Sequence, residues 1–405
     1  IAINAYAVYT NNIPAGAFRG FGAPQAHFAC EGMITRLAQA LGLSPVEVRL
    51  QNLYREGSLE PTNMPLPVGV SIVPVLARCM EEIQTRWGYA LQEATTFEIE
   101  QPAEQHLKRG VGIACGIKNV GYSFGFPEQS TATVEIYGEA ELERAVVRIG
   151  AADVGQGSQL ALRQIAAEVL QLPPEKIAMI CNDSAESPNA GSASASRLTF
   201  MAGRAVHDAA RQAREQWGLT DDYQAQATVT YRAPATTAID PQNSTGTPNY
   251  CYGYSAQAVE VEVNLLTGQV QVLRVISVHD VGKAINMQQV TGQIEGCLAQ
   301  ALGYALLENF QVREGHILTS HLSTYLLPTV LDMPEEITPV VLELADPHGP
   351  FGARGMAEMP LIPFAPAVAH AIYSATGAWL TQQPMTPERV LTALMQLQAQ
   401  PAEKE

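Results

Sequence analysis

Apolar residues along this chain recur with two periods. From Pro24 to Leu41 they keep helical spacing, and the run stops at Gly42, which predicts a helix over 24–41. "SPVEVRLQNLY" (44–54) reads as a second, short helix, with Ser44 as N-cap and Pro45 in its first turn. Residues 56–75 are Pro-rich and loop-like, and 75–92 turn helical again. A mostly polar stretch, 93–109, leads into the apolar strand "GVGIACGIKNV". The opening "IAINAYAVYTNN" reads as a strand already in progress, as in a fragment or the second piece of a split protein.

The middle of the chain alternates with period two. "TATVEIYG" and "LERAVVRIG" read as strands joined by a turn. "DVGQGSQLALRQIAAEVLQ" (153–171) is a tight Gly turn opening a helix, "KIAMICND" (176–183) a strand, 184–198 a small-residue loop, and 199–217 a helix. The Thr-, Gln-, Pro- and Asn-rich stretch 219–250 reads as a long connection or arm. "AQAVEVEVN" and "QVQVLRVISVHDVG" form a hairpin around "LLTG". A helix over 287–308, a strand over 335–344 and a Gly/Pro loop running into a helix (350–377) follow.

The order strand, strand, Gly loop, helix occurs around Asp153 and again around Asp280. The expected fold is therefore α+β: two related mixed α/β subdomains packed around a cofactor site, with an N-terminal helical segment. The expected boundaries are 1–105, 106–228 and 229–405, the last carrying the loop around Glu358.

Composition narrows the function classes. The chain's 405 residues exceed what one core usually organises, which agrees with subdomains. A net charge of −16 argues against a nucleic-acid surface, and no apolar run is long enough for a membrane span. The six cysteines lie far apart with no C-x-x-C, so neither a zinc ribbon nor an iron–sulfur cluster is encoded; scattered buried thiols suit a reducing, cytoplasmic setting. His27, His279, His316, His321 and His348 read as solvated loop residues, which leaves no side-chain metal site.

Three loops offer backbone to an anion. "GQG" (Gly155, Gln156, Gly157) precedes a helix, whose N-terminus has free N–H groups. "SPNAGSASAS" (187–196) also ends at a helix start, and its near-absent side chains let a ligand lie on the backbone. "NNIPAGAFRGFGAPQAHFAC" (11–30) combines Gly and Pro with the planar fork of Arg19. Ordinary turns give the same patterns, and none matches a dinucleotide or Walker loop. In "GARGMAEMPLIP" (352–363) Glu358 stands among small and apolar residues. Burial there raises a carboxyl pKa and suits a general base; exposure, or a salt bridge to Arg354, is the other reading. Phe21 and Phe124, each beside glycine, read either as two faces of a slot for a flat ring or as core residues.

Taken together, "AFRGFGAPQ", "GYSF", "DVGQGS", "SPNAGSASASR", "GQIEG", "GARGMAEMP" and "TPERV" resemble, in this order, the molybdenum-binding subunit of the xanthine dehydrogenase/aldehyde oxidase family. The resemblance covers the C-terminal half or somewhat more of such a subunit. It implies a molybdenum-dependent hydroxylase acting on an electron-poor carbon of an N-heteroaromatic (purine- or nicotinate-like) substrate, with oxygen from water. An aldehyde oxidoreductase and a non-catalytic structural or assembly partner are the alternatives. The implied cofactor is molybdopterin in its cytosine dinucleotide form, its dithiolene holding molybdenum so that no side chain ligates the metal. Arg19, Gly20, Gly155, Gln156, Gly157, Ala190, Gly191, Ser192, Ala193, Ser194, Ala195 and Gln293 would hold it, Phe21 and Phe124 would sandwich the substrate, and Glu358 would be the catalytic base. The implied partners are the N-terminal half of the molybdenum subunit, an iron–sulfur (2Fe–2S) subunit and an FAD subunit. Family members often read "GVGEPP" around the glutamate, where this chain reads "GMAEMP". Gly125 stands where purine hydroxylases carry a hydroxyl residue, which disfavours a specific xanthine assignment, and the opening loop lacks the cysteine of carbon monoxide dehydrogenases.

Overall fold

The computed structural model describes residues 4, 6–90, 97, 99–217 and 223–399. Its elements in chain order are α1 (Ala23–Ala40), α2 (Pro45–Asn52), α3 (Ile72–Glu82), β1 (Leu107–Asn119), β2 (Gln129–Gly138), β3 (Leu142–Arg148), α4 (Ser158–Leu170), β4 (Ile177–Ile180), α5 (Leu198–Trp217), β5 (Gln224–Arg232), β6 (Tyr252–Asn264), β7 (Val270–Asp280), α6 (Met287–Leu302), β8 (Val312–Arg313), β9 (His316–Ile317), β10 (Glu336–Leu342), α7 (Phe364–Thr376) and α8 (Pro387–Ala399). The first two helices start as expected: Ser44 Oγ accepts from the Val46 N–H at 3.3 Å, with Pro45 at the first helical position. The third starts earlier than 75 and ends in a π turn over Ile83–Trp87, while residues 91–92 of the expected helix and 93–96 and 98 of the polar stretch lie outside the described residues. Of the expected opening strand, residues 4 and 6–12 form none, and the rest is likewise undescribed.

Two four-stranded sheets have the same plan. One runs β4-β3-β2-β5 and the other β10-β7-β6-β1. In each, a central antiparallel hairpin (β2–β3 or β6–β7) is followed by a helix (α4 or α6) and a strand parallel to the second hairpin strand (β4 or β10). The fourth strand, β5 or β1, pairs antiparallel with the first hairpin strand. A helix lies over that pair, α5 over β2 and β5, α7 over β1 and β6. The two units differ in connectivity: β5 follows its helix, whereas β1 precedes its whole unit. The sheets therefore divide the chain differently from the expected 228/229 boundary, which falls inside β5, and β1 joins the second unit rather than the first.

The second sheet is covered on both faces, by α6 and α7 on one side and α3 on the other, so β6 is buried along nearly its whole length. β1 achieves this contact through glycine: a Cβ on Gly112 would overlap the α7 backbone at Ala367 and Ala371. The first sheet is covered on one face, and β5 shows the alternating exposure of an edge strand. This strand lies within the stretch read as a connection (219–250), of which 219–222 are undescribed. Phe200 and Met201 of α5 join the second unit's core, so the units share an apolar interface.

Candidate functional site

A cavity of about 1160 Å³ opens between the two units. Its wall is drawn from the opening loop, the β1–β2 connection, the turns before α4 and α5, the first turns of α6, and the loop before α7. The connections of both units converge there.

Glu358 sits on this wall, buried, one residue before a 3₁₀ turn (Met359–Leu361) that enters α7. Its two carboxylate oxygens have separate partners. Oε1 accepts the Gly20 N–H at 3.1 Å, and Oε2 accepts the Ser196 hydroxyl at 3.1 Å. Ser196 Oγ also accepts the Glu358 N–H at 3.1 Å, so the two residues grip each other. The Lys118 ammonium lies 3.4 Å from Oε2. Burial pulls the Lys118 pKa below its usual value, and Glu358 works against that shift. The alternative partner from the sequence, Arg354, is engaged elsewhere: its guanidinium meets Asp280 at 2.9 Å and Asp346 at 3.3 Å, with Gly69 O at 2.8 Å.

Arg19 and Gln293 come together, with Arg19 NH2 donating to Gln293 Oε1 at 3.0 Å. Arg19 Nε also donates to the Ala357 carbonyl at 2.5 Å, clamping the opening loop to the Glu358 loop. Phe18 stacks on Tyr304 at 5.5 Å and secures the same loop from the other side. Gly20 takes a φ of +93°. Its N–H is spent on Glu358, and it lies off the cavity wall.

Arg197 holds the small-residue loop from inside the protein. It donates to the carbonyls of Ala190 (2.7 Å), Ser192 (3.1 Å) and Gln129 (2.8 Å). A Cβ on Gly191 would run into its guanidinium. Ala190 is buried, and Gly191 and the exposed Ser192, whose hydroxyl meets Tyr122 and Ser194, flank the wall that Ala193, Ser194 and Ala195 form. Ala195 and Ser196 both adopt left-handed backbone, φ 50° and 54°, an arrangement the fold must enforce against their side chains. In the turn before α4, the N–H groups of Gly155 (2.9 Å), Gly157 (3.2 Å) and Gln159 (3.1 Å) all donate to Asp153. Burial opposes ionisation of Asp153, but these donors together hold its carboxyl below the usual range. The free N–H groups expected of that helix start thus serve the chain's own carboxylate. Gln156 bonds Val154 N–H and Ala152 O, and Gln156 and Gly157 line the cavity, whereas Gly155 does not.

Phe21 and Phe124 line the cavity as largely exposed rings, each on left-handed backbone (φ 49° and 59°). They are not core residues. Tyr122 and Phe126 add an edge-on aromatic pair at 4.9 Å. Sequence reasoning missed Lys118, whose signal was a lone cation in the apolar strand "GVGIACGIKNV". It also missed the Ser196–Glu358 pairing and the Glu128–Arg197 pair, which join segments far apart in sequence. Two histidines are not solvated loop residues: His279 is fully buried on β7, and His27 on α1 accepts the Ile117 N–H at 3.2 Å. Cys30 is exposed rather than buried, while Cys79, Cys115, Cys251 and Cys297 are buried. Among the described residues no group of three His, Cys, Asp or Glu is placed to hold a metal, and no helix is long and apolar enough to cross a membrane.

Models of molybdopterin cofactor-binding domains match residues 1–53, 84–223 and 217–334. The aldehyde oxidoreductase of Megalodesulfovibrio gigas is 32% identical over 96% of this chain and 42% of its own length. The xanthine dehydrogenase molybdenum-binding subunit of Escherichia coli O157:H7 is 28% identical over 96% of this chain and 54% of its own length. The solved aldehyde oxidoreductase from Desulfovibrio gigas superposes with a TM-score of 0.80 at 30% identity, over 94% of this chain and 42% of that one. The chain thus spans about half the length of the curated relatives it matches. It belongs to the xanthine dehydrogenase/aldehyde oxidase family of molybdenum hydroxylases, corresponding to the C-terminal molybdopterin-binding part.

Proposed function

We propose that this chain forms one side of the active site of a molybdenum hydroxylase, with Glu358 as its base. The carrying observation is the buried Glu358 carboxylate, held by Gly20, Ser196 and Lys118 on the wall of a large cavity.

The cavity fits a pterin-borne metal. Along 193–196 and at Gly157 and Gly355 the wall carries only small side chains, with left-handed backbone at Ala195 and Ser196, so a ligand can lie against peptide groups there. A Cβ on Gly157 would overlap the Gln289 amide, which keeps this part of the wall bare. A metal arriving with its own dithiolene ligands asks the protein for shape and hydrogen bonds rather than for a His/Cys cluster. Arg19, Gln156, Gly157, Ala193, Ser194, Ala195 and Gln293 are the wall residues that would hold the pterin and its phosphate, with Gly20, Gly155, Ala190, Gly191 and Ser192 shaping the loops around them. The cytosine dinucleotide form is our expectation for the bound group.

When bound, the group supplies two-electron oxidation of an electron-poor carbon with oxygen from water. Glu358 takes up the proton released in that reaction. Gly20 and Ser196 fix its two oxygens so that the carboxylate needs no reorganisation as charge changes. Phe21 and Phe124 present ring faces to a flat substrate. We take an N-heteroaromatic compound as the substrate, in view of these two aromatic positions. An aldehyde is the second reading, favoured by the 32% identity to an aldehyde oxidoreductase. The electrons would leave through 2Fe–2S and FAD groups on partner chains, and the N-terminal half of the molybdenum subunit would close the cavity from its other side. Six free cysteines suit a cytoplasmic location.

The test is molybdenum and pterin analysis of the natively purified protein, with mass spectrometry of all co-eluting chains. Molybdenum near one per chain, together with iron–sulfur and flavin subunits, is the expected result. Natively purified protein without molybdenum or partners would overturn the proposal.

A further inference from the structure

The Glu358 carboxylate faces a cation as well as two hydrogen-bond donors. Lys118 lies at the end of strand β1, and its side chain is, like that of Glu358, almost fully buried (6% and 12% exposed). The ammonium does not roam. It donates to Asn119 Oδ1 at 2.6 Å and Asn119 O at 3.1 Å, and from that mount reaches Glu358 Oε2 at 3.4 Å. Asn119 is itself fixed, its Nδ2 donating to Gly121 O (2.8 Å) and Ser123 Oγ (2.9 Å). Ser123 in turn donates to Asn249 at 2.5 Å. The turn that anchors the lysine is thus the turn that presents Phe124.

We propose that Lys118 is a positioning residue for the reaction: mounted on Asn119, it sets a cation against the Glu358 carboxylate, holds that carboxylate on the cavity wall, and ties the base to the turn carrying Phe124. This rests on the reading of Glu358 as the base. The other charged and titratable groups around the pair are already committed. Arg19 on the opening loop is clamped to Ala357 O and Gln293. Arg197 beside Ser196 is paired with Glu128, and Arg354 on the Glu358 loop with Asp280 and Asp346. His27 on α1 is an acceptor for the Ile117 N–H, which requires that ring nitrogen to be unprotonated. Cys297 on α6 is a thiol pushed up to about 12 by burial, with Arg19 pulling slightly down and Glu358 adding slightly to the rise. Among the described residues Lys118 is therefore the cation whose charged group lies within ion-pair distance of the Glu358 carboxylate, while Arg19 spends its donors on neutral acceptors.

The sign follows from charge. A nearby cation favours a carboxylate over a carboxylic acid, so without it the base protonates at higher pH. In the assembled enzyme, Lys118→Gln should move the acid limb of the kcat/KM profile upward by roughly one pH unit or more. Lys118→Arg, which keeps the charge, should leave the limb near its native position. Asn119→Ala, which keeps the lysine but removes its mount, should give a smaller upward shift with kcat lowered more than KM is raised.

A second readout needs no turnover. Infrared difference spectra of the resting protein, titrated with acid, carry a protonated-carboxyl band for Glu358, assigned by its loss in Glu358→Gln. The band should emerge at higher pH in Lys118→Gln. An unmoved band and limb in Lys118→Gln, or an equal shift in Lys118→Arg, overturns the proposal. If Lys118→Gln does not assemble, Lys118→Arg decides: a limb at native pH supports the charge role and a limb shifted upward contradicts it. If Glu358→Gln retains full turnover, the role of Glu358 as base fails instead, and the infrared titration still reports whether the lysine controls its ionisation.

Discussion

Arg197 and Glu128 form a buried ion pair, 2.6 Å between NH2 and Oε1, that joins the small-residue loop to the turn carrying Phe124. The second carboxylate oxygen of Glu128 accepts the Tyr122 N–H at 2.7 Å, so one acid fixes the start of that turn and the anchor of the facing loop. Removing either partner strands a charge in the interior. Glu128→Ala should cost about 3–5 kcal/mol, and the cavity wall should loosen with it. Denaturant unfolding measures the first effect and cofactor content the second. Unchanged values for both would contradict this role.

Gly355 separates the Glu358 loop from the small-residue loop by the width of a peptide: a Cβ there would overlap the Ser196 carbonyl oxygen. Gly355→Ala should therefore push apart the two residues that grip each other, with a loss of about 2 kcal/mol or more and of most activity. Gly32, inside α1 with open space around it, is the contrasting case. Gly32→Ala should stabilise by about 0.5–1 kcal/mol without touching the site. Thermal unfolding of the two variants side by side checks both signs.

Arg354 anchors the Glu358 loop to the end of β7 through Asp280, which also accepts the Ser71 hydroxyl (2.6 Å). A lysine keeps the charge but cannot reach Asp280, Asp346 and the Gly69 carbonyl together. Arg354→Lys should lower kcat at least several-fold and reduce stability, with charge conserved. Steady-state kinetics with a melting curve tests this, and native values for both would refute it.

Two buried histidines make the fold sensitive to acid. Burial depresses His370 to about 4 and His279 to about 3, against an ordinary value of 6.5. Their folded values lie below the unfolded one, so as pH falls below 6.5 the unfolded chain takes up protons that the native state refuses. Stability should therefore fall from pH 6.5 downward, by about 1.4 kcal/mol per pH unit for each histidine, until His370 itself protonates near 4. In His370→Gln, equilibrium unfolding at several pH values should show a shallower slope over that interval.

Most of the fold was legible because its elements carry strong local signals. The hairpin around "LLTG", the Gly turn before α4 and the Pro45 helix start each announce themselves within a few residues. β5 did not, because its sequence, "QAQATVTYR", alternates polar and small residues and buries only Ala227, as an edge strand does. The assignment of β1 to the second sheet was also hidden, since its partner β6 lies more than a hundred residues away and no local pattern reports long-range pairing. At the site, Glu358, Arg19 and the two phenylalanines stood out as single unusual residues in small-residue loops. The hydrogen bonds that make Glu358 usable come from Gly20 and Ser196, residues whose chemistry in sequence is ordinary and whose role exists only once the two loops meet.

The most direct test of the whole account is turnover of the natively purified Glu358→Gln protein, normalised to its molybdenum and pterin content. The amide keeps the shape and can still accept from Gly20 or Ser196, but it cannot take up a proton. Cofactor content close to native with activity lower by about 10²-fold or more is the predicted result. A loaded variant with native turnover would contradict the assignment of Glu358 as the base.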